Sequence, residues 1–441
     1  MEPQSATFPS PEAAVDPMDI DSSGDGVTPR NWISLIAVLI VQAQNAFNDN
    51  FVKFVLLGLA IAAFKGGFIG DNIEHILGAM IPIPFILLAP VAGYLSDRYS
   101  KRTIIVISLI AQLTIFALIA ISLMSHFVYG ALLGYFLLAV QSTVFSPAKQ
   151  GILKELIGSE RLGFANGLMQ MLTMVGILGG MFLGGMFFTS LNESGGDEWR
   201  SALIPTLVAG LAAIVPLVLV RWIQATPAHP KMHFTREVWG RHFVHLKELF
   251  RNRILRLTSL AISSYWFLAN FIGLAVIGFG KELKPDGAPG ASALMMALIG
   301  IGLIIGSIVV STLSRHRIRL DIVPLGVAGI TAGLVALGTL PAGSVAWNFS
   351  LGFIGFSSGF LLVPLNAFLQ DRASEATRGR ILSANNLLAS FVGLVSIAIG
   401  LFMTSALDWE ASTQVLIYAG FGSIILLVLT LHSMPILRRA Q

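Results

Sequence analysis

The sequence contains no cysteine among its 441 residues. This absence excludes disulfide bonds, thiolate metal sites, cysteine nucleophiles and palmitoylated cysteines. Charge is also scarce, because Asp, Glu, Lys and Arg make up 12% of the residues, against roughly 25% in an ordinary soluble domain. A soluble enzyme, a nucleic-acid-binding protein and a disordered protein are therefore excluded as descriptions of the whole chain.

The N-terminal segment lacks the features of a secretory signal. Its first 30 residues carry six acidic side chains and one basic side chain, Arg30, and they contain no long apolar run. A signal peptide needs a basic start followed by an apolar stretch. Because Pro, Ser, Gly and acidic residues dominate, residues 1–30 are predicted to form a disordered acidic tail.

Long apolar runs fill the rest of the chain. Hydrophobic residues make up 55% of the sequence, and the mean hydropathy is +0.78. About 20 apolar residues cross a hydrocarbon core as a helix, and these runs are too long and too uniform for membrane strands. The sequence predicts an all-α membrane protein with twelve transmembrane helices, at 32–62, 73–96, 103–125, 127–148, 164–190, 201–221, 255–280, 289–313, 321–341, 346–369, 381–406 and 412–434.

The distribution of Lys and Arg predicts the orientation. If both termini are cytoplasmic, the inside loops and termini hold 23 of the 28 basic residues, and the outside loops hold four. Basic residues accumulate on the cytoplasmic side of membrane proteins. We therefore expect an N-in, C-in topology.

A polar segment at 222–254 divides the predicted spans into two sets of six, at 31–221 and 255–436. We expect this segment to be a solvated, partly helical cytoplasmic linker. Short identities recur between the sets at offsets of 217 to 220, as in Pro147 with Pro364 and Ala165-Asn166 with Ala384-Asn385. Two parallel six-helix repeats joined by a linker are the plan of the major facilitator transporters.

The loop after the second span resembles the major facilitator signature G-x-x-x-D-R-x-G-R-R/K. An aspartate there can pair with cations and with a helix N-terminus, which latches the two bundles together in one state. A positive-inside loop with one counter-charge is the simpler alternative. The residues predicted for the latch are Gly93, Asp97, Arg98, Lys101 and Arg102.

The first span is unusually polar. Four polar residues at spacings of 3, 4 and 4 share one helix face, and two more asparagines flank the acid. Intramembrane charges face the bundle interior or a cavity, so Asp49 is a candidate for binding a proton, a sodium ion or an ammonium group. A purely structural Asp49–Lys53 pair is the alternative. The candidate residues on this span are Gln42, Asn45, Asn48, Asp49, Asn50 and Lys53.

The fourth span contains Pro147, which should kink it, followed by Lys149. The predicted span ends at residue 148, so Lys149 is expected at the cytoplasmic edge. There it either binds a phosphate as a point charge or snorkels to the interface.

Further polar residues on later spans are candidates either for cavity lining or for contacts between helices. They are Asn166, Gln170 and Thr173 on the fifth span, Asn366 and Gln370 on the tenth, and Asn385, Asn386 and Ser390 on the eleventh. Glycines at 176, 179, 180, 184 and 185 predict close approach of another helix to the fifth span.

Motifs for enzymatic or nucleotide chemistry are nearly absent. The sequence has no G-x-x-x-x-G-K-[ST] phosphate loop, which argues against ATP-driven transport. His316 and Asp321 match an acyltransferase H-x-x-x-x-D pattern only in a short loop, and His242 with His245 lacks further metal ligands. We expect no enzyme activity, no metal, no nucleotide and no bound cofactor, with proton or sodium coupling left open.

Four strings carry a more specific resemblance. They are A-F-N-D-N at 46–50, F-S-P-A-K-Q-G-I-L at 145–153, A-N-G-L-M at 165–169 and V-P-L-N-A-F-L-Q-D-R at 363–372. The chain from about 42 to 390 resembles the bacterial lysophospholipid transporters, and it is similar to the membrane half of acyltransferase–transporter fusions.

This resemblance implies a multi-pass inner-membrane protein that flips lysophosphatidylethanolamine, and in some members lysophosphatidylglycerol, inward for reacylation. Asp49 and Lys149 match family positions, and a phospholipid acyltransferase is an implied partner. Two alternatives stay open: a drug or small-metabolite transporter of the same fold, and a non-transporting membrane partner of an acyltransferase.

Overall fold

A computed structural model describes residues 27–64, 68–195, 197–228, 242–283 and 288–405, together with 407, 409–420, 423–424 and 436. Regular structure in these residues is helical throughout. The predicted tail at 1–30 lies mostly outside the described residues. The part of the predicted linker at 229–241 also lies outside them.

The helices follow the predicted order. Those of the first half are α1 (Pro29–Ala63), α2 (Phe68–Met80), α3 (Pro82–Arg98), α4 (Lys101–Met124), α5 (Val128–Ile157), α6 (Leu162–Glu193), α7 (Glu198–Ala212) and α8 (Ile214–Leu219). The others are α9 (His242–Arg251) in the linker, then α10 (Arg253–Leu283), α11 (Ala288–Leu313), α12 (Val323–Thr339), α13 (Val345–Arg372) and α14 (Arg378–Ser405).

Eleven helical stretches in the described residues are long and apolar enough to cross a membrane. The twelfth predicted span, 412–434, is helical as far as residue 420, and most of its remainder lies outside the described residues. The N-in, C-in orientation stays a prediction. Large apolar side chains are exposed on the outer helix faces, among them Ile107, Ile110 and Ile121 of α4, as expected for surfaces in contact with lipid.

Local sequence explains where the helices begin and break. Thr28 caps α1 by accepting from the backbone N–H of Asn31, and Pro29 occupies the first turn, where its missing N–H costs nothing. The second span divides at Ile81 into α2 and α3, and Pro82 starts the second piece. The predicted end of the fourth span at residue 148 is wrong. Helix α5 runs through Pro147 to Ile157 and stops at Gly158, whose φ is +68°.

Glycines bring α6 against the backbone of α1. A Cβ at Gly176, Gly180 or Gly184 would meet a carbonyl oxygen of α1, at Ala43, Phe47 and Phe51 respectively. The prediction of close approach is confirmed at these three positions. At Gly179 and Gly185 a Cβ would have ordinary contacts of 3.6 Å or more, with the side chains of Phe47 and Phe54 and not with the backbone of α1.

We therefore expect Gly180→Ala to destabilise the protein and Gly185→Ala to leave it unchanged or slightly stabilised. Overpacking a close crossing costs about 1–3 kcal/mol, whereas replacing a helical glycine by alanine elsewhere gains up to about 1 kcal/mol. Thermal unfolding of both purified variants in one detergent checks this. Equal melting temperatures would contradict the assignment of the crossing.

Candidate functional site

A cavity of about 520 Å³ lies between the two halves of the chain. One wall comes from the first half and carries Gln42, Asn45, Asp49, Asn50, Tyr135, Ser142, Ser146, Lys149, Gln150 and Thr173. The opposite wall comes from α10 and α14 and carries Trp266, Asn270, Asn386, Ser390, Gly393, Leu394 and Ile397. Polar groups are thus concentrated on the first-half wall, and the cavity combines this polar wall with apolar surface.

Asp49 is the carboxylate of the cavity. The Ser142 hydroxyl donates to Asp49 Oδ2 at 2.6 Å, and Asn45 Nδ2 donates to the same oxygen at 3.2 Å. The other oxygen, Asp49 Oδ1, is buried and has no hydrogen-bond partner among the described residues. The described residues therefore satisfy one carboxylate oxygen and leave the second without a hydrogen bond.

Lys149 lines the cavity between the halves, and α5 continues for about two further turns beyond it, to Ile157. Its place at the cytoplasmic edge of the membrane stays a prediction. The Lys149 ammonium is 5.3 Å from the centroid of the Phe145 ring and close enough to Asp49 for an electrostatic interaction. The described part of the cavity lining thus contains one acid and one base.

Several cavity residues were not singled out from the sequence. Tyr135 is 2% exposed, and its hydroxyl has no hydrogen-bond partner among the described residues. Tyr135, Ser142 and Lys149 recur every seven residues along α5, which is two helical turns, so they share a face. In the sequence, this seven-residue spacing, together with Asp49 on the first span, is the signal that could have identified Tyr135 and Ser142 as cavity residues.

Other predicted residues lie outside the cavity lining in the described structure: Lys53, Asn48, Asn166, Gln170, Asn366 and Asn385. Asn48 is fully buried. Asn166 pairs reciprocally with Gln370 across the two halves, at 3.1 and 2.9 Å. On α14 it is Asn386 rather than Asn385 that lines the cavity, and its amide donates to Ser146 Oγ at 3.0 Å.

Two of the predicted latch residues, Asp97 and Gly93, meet the second half where α3 ends and α14 begins. Asp97 accepts from the backbone N–H groups of Gly379 at 2.6 Å and Arg380 at 3.1 Å, and from Arg380 Nε at 3.0 Å. Gly93 packs against Arg380 and Ser383. A carboxylate at a helix N-terminus satisfies free N–H groups and interacts favourably with the helix dipole.

The other predicted latch residues have different contacts. Lys101 pairs with Glu155 at 2.5 Å, and Glu155 also accepts from Arg378 at 3.3 Å. Glu155 therefore links Lys101 to Arg378 of the second half. Arg98 bonds to the Tyr94 hydroxyl and lies over the Tyr99 ring, both within its own half. Arg102 Nε is buried without a hydrogen-bond partner among the described residues.

Further contacts join the halves at the same end. Lys154 pairs with Asp371 at 2.8 Å, and Ser311 Oγ donates to the Phe164 carbonyl at 2.7 Å. We call this end, where α3, α5 and α13 finish and α4, α6 and α14 begin, the closed end. The cavity lining stops short of it at Lys149, Gln150 and Asn386, and it extends the other way to Ile81 and Ile397.

Among the residues that the structure describes, no three His, Asp or Glu side chains form a group that could hold a metal ion.

The chain is similar in sequence to a family of known transporters. The family model described as Major Facilitator Superfamily matches residues 38–397. The "Lysophospholipid transporter LplT" of Serratia proteamaculans is 27% identical over 379 residues, covering 83% of this chain and 88% of that protein. Its namesake from Citrobacter koseri is 27% identical over 382 residues, with the same coverage.

Solved structures share the fold at low sequence identity. The human organic anion transporter MFSD10 superposes with a TM-score of 0.72 at 13% identity, covering 91% of this chain and all of that one. The transporter FucP in its outward conformation gives 0.70 at 14% identity, with 91% and 99% covered. An outward-facing bacterial homologue of ferroportin gives 0.68 at 14% identity, with 90% and 99% covered.

We expect Asp97→Ala to open the closed end. Removing one partner of a buried charge pair costs about 3–5 kcal/mol, which changes the ratio of open to closed molecules by about a hundredfold or more. Because the chain has no cysteine, spin labels on Tyr99→Cys and Glu375→Cys report the separation of the halves by pulsed electron resonance.

The matched control for this measurement is Asp321→Ala, which removes an acid at the same end. Asp321 pairs with Arg319 at 2.6 Å, but the pair is partly exposed and is worth only about 0–1 kcal/mol. Asp97→Ala should lengthen the label distances and Asp321→Ala should not. Unchanged distances in both variants would contradict the latch.

Proposed function

Because the chain belongs to the Major Facilitator Superfamily and is a transporter rather than an enzyme, we propose that it flips lysophospholipid across the membrane by alternating access. The substrate is a single-chain lipid with a zwitterionic head of the lysophosphatidylethanolamine type. It moves toward the cytoplasmic leaflet of the inner membrane. The names of the LplT relatives support this substrate class.

The observation that carries the proposal is that the described lining residues include one acid and one base, and are otherwise apolar or neutral. Asp49 and Lys149 are the ionisable acid and base on the lining. A carboxylate attracts the ammonium of the head, and a lysine attracts its phosphate as a point charge. The paired charges also offset each other, which lowers the cost of holding them within the membrane.

The apolar part of the lining suits an acyl chain. Ile81, Phe85 and Leu138 on the first half face Leu394 and Ile397 on the second. Binding sites for small molecules combine a mainly apolar surface with a few placed polar groups, and a cavity of about 520 Å³ lies within their usual range. A sugar or another fully polar substrate would leave this surface unmatched.

The depths of the two charges suggest the order of events. Ser142, which holds Asp49, lies seven residues before Lys149 on α5, so Lys149 is about 10 Å nearer the closed end. With the closed end cytoplasmic, as the basic loops predict, the cavity opens outward. The head first meets Asp49, and Lys149 receives the phosphate as the halves rock and the closed end separates.

The proposal also includes a coupling ion for the transport and a partner enzyme that uses the transported lipid. Asp49 is the group that would couple a proton or a sodium ion to this movement, because it is the acid of the cavity lining. Lysolipid delivered to the inner leaflet has one free hydroxyl on its glycerol. A phospholipid acyltransferase is therefore the partner class that would consume it.

The proposal is tested with purified protein in liposomes, with albumin used to extract fluorescent lysophosphatidylethanolamine from the accessible leaflet. We expect protein-dependent movement that Asp49→Asn slows about tenfold or more, equivalent to at least roughly 1.4 kcal/mol. Asp321→Asn, which changes an acid outside the cavity lining, should transport normally. Protein-free liposomes give the background rate.

Two outcomes would count against lysolipid flipping. Movement no faster than in protein-free liposomes, under both proton and sodium gradients, would favour a drug or small-metabolite transporter of this fold. The same absence of flux together with copurification of an acyltransferase would favour a non-transporting partner. Normal transport by Asp49→Asn would remove Asp49 from the mechanism.

A further inference from the structure

Two buried glutamines converge on one oxygen atom behind the cavity wall. Gln112 of α4 donates to Asn45 Oδ1 at 3.2 Å, and Gln141 of α5 donates to the same oxygen at 3.3 Å. Gln112 is fully buried and Gln141 is 5% exposed. Neither residue belongs to the cavity lining. Gln112 reaches the site through Asn45, and Gln141 does so through Asn45 and by accepting from the Ser142 hydroxyl at 3.4 Å.

Asp49 sets the direction of this hydrogen-bond chain. An ionised carboxylate only accepts hydrogen bonds, so the Asn45 amide must turn its nitrogen toward Asp49 Oδ2, 3.2 Å away. Asn45 Oδ1 then faces the other way and needs donors. The two glutamine amides supply them. If the Asn45 amide were reversed, its oxygen would face the Asp49 carboxylate and its nitrogen would face the amide nitrogens of the two glutamines, so these hydrogen bonds would be lost.

We propose that Gln112 and Gln141 are positioning residues for Asp49. By holding the Asn45 amide, they keep an N–H donor on Asp49 Oδ2 beside the Ser142 hydroxyl. Both contacts fall on that one oxygen, so Oδ1, which has no hydrogen-bond partner among the described residues, is the oxygen assigned to the cation of the ligand. This inference rests on the proposed function, because it assigns to Asp49 the recognition of an ammonium group.

The alternative is that the glutamines only join α4 and α5 to α1, as polar residues often do in membrane helices. The two roles differ in what they affect. A loss of helix contacts would weaken the transport of every ligand equally. A misplaced Asp49 would weaken only ligands that carry an ammonium.

The experiment compares two single-chain lipids in the liposome assay with the full chain. Lysophosphatidylethanolamine carries an ammonium, and lysophosphatidylglycerol, used as a competitor, does not. We expect Gln112→Leu to raise the KM for the first lipid about tenfold, with the inhibition constant of the second within about twofold of the unmodified protein. Gln141→Leu should act in the same direction, which keeps the test available if one variant fails to fold.

The control variant is Thr143→Val. Thr143 is buried beside Ser142 on α5, and its hydroxyl donates to the Ala139 carbonyl within the same helix. We expect both lipids to behave as in the unmodified protein. Melting temperatures of all variants, measured in detergent, separate a loss of stability from a loss of recognition.

The outcomes distinguish the inference from the proposed function. A selective rise in KM for lysophosphatidylethanolamine supports the positioning role. Equal weakening of both lipids, or no change while Asp49→Asn still loses transport, overturns the positioning role and leaves the proposed function standing. Unchanged transport by Asp49→Asn overturns the positioning role and removes Asp49 from the mechanism, whereas the absence of protein-dependent movement overturns the proposed function.

Discussion

The cost of an ionised side chain in hydrocarbon governs where this protein keeps its charges, because such a group must be paired or face a cavity. Asp49 and Lys149 share the central cavity. Asp97 is buried at the closed end and contacts Arg380, and Glu155 joins Lys101 to Arg378. The buried charges are therefore divided between the central cavity and the contact between the halves at the closed end.

Two of the contacts between the halves at the closed end, α3 with α14 and α11 with α6, differ in their chemistry. Where α3 meets α14, Asp97 binds a helix N-terminus and an arginine. Where α11 meets α6, Ser311 and Ser314 pack on Gly167 and Gly163, with small side chains in place of charges. Separating the first interface exposes a carboxylate and loses its charge-assisted hydrogen bonds, whereas separating the second loses close packing and the hydrogen bond from Ser311 Oγ to the Phe164 carbonyl. Of these two contacts, the first is therefore the charged one.

The local sequence pattern was sufficient to predict much of the fold and part of the candidate site. Apolar runs located the helices, and the helical spacing of Asn45 and Asp49 placed both on one face, where the structure has them in the cavity lining. The end of α5 was misplaced because Lys149 and Gln150 look like the start of a loop. In the structure they continue the helix and face the cavity between the halves. Gln112 gave no signal, because a lone buried amide in an apolar span has no distinctive spacing.

Sequence by itself determined that the chain is a bundle of membrane helices and which helix faces are polar, because length, hydropathy and periodicity are local properties. Only the tertiary structure decided which polar faces meet. Asn166 pairs with Gln370 and stays out of the cavity lining, and two glutamines from different helices bind Asn45. These choices depend on how distant helices cross, and the spacing of residues along one helix does not contain that information.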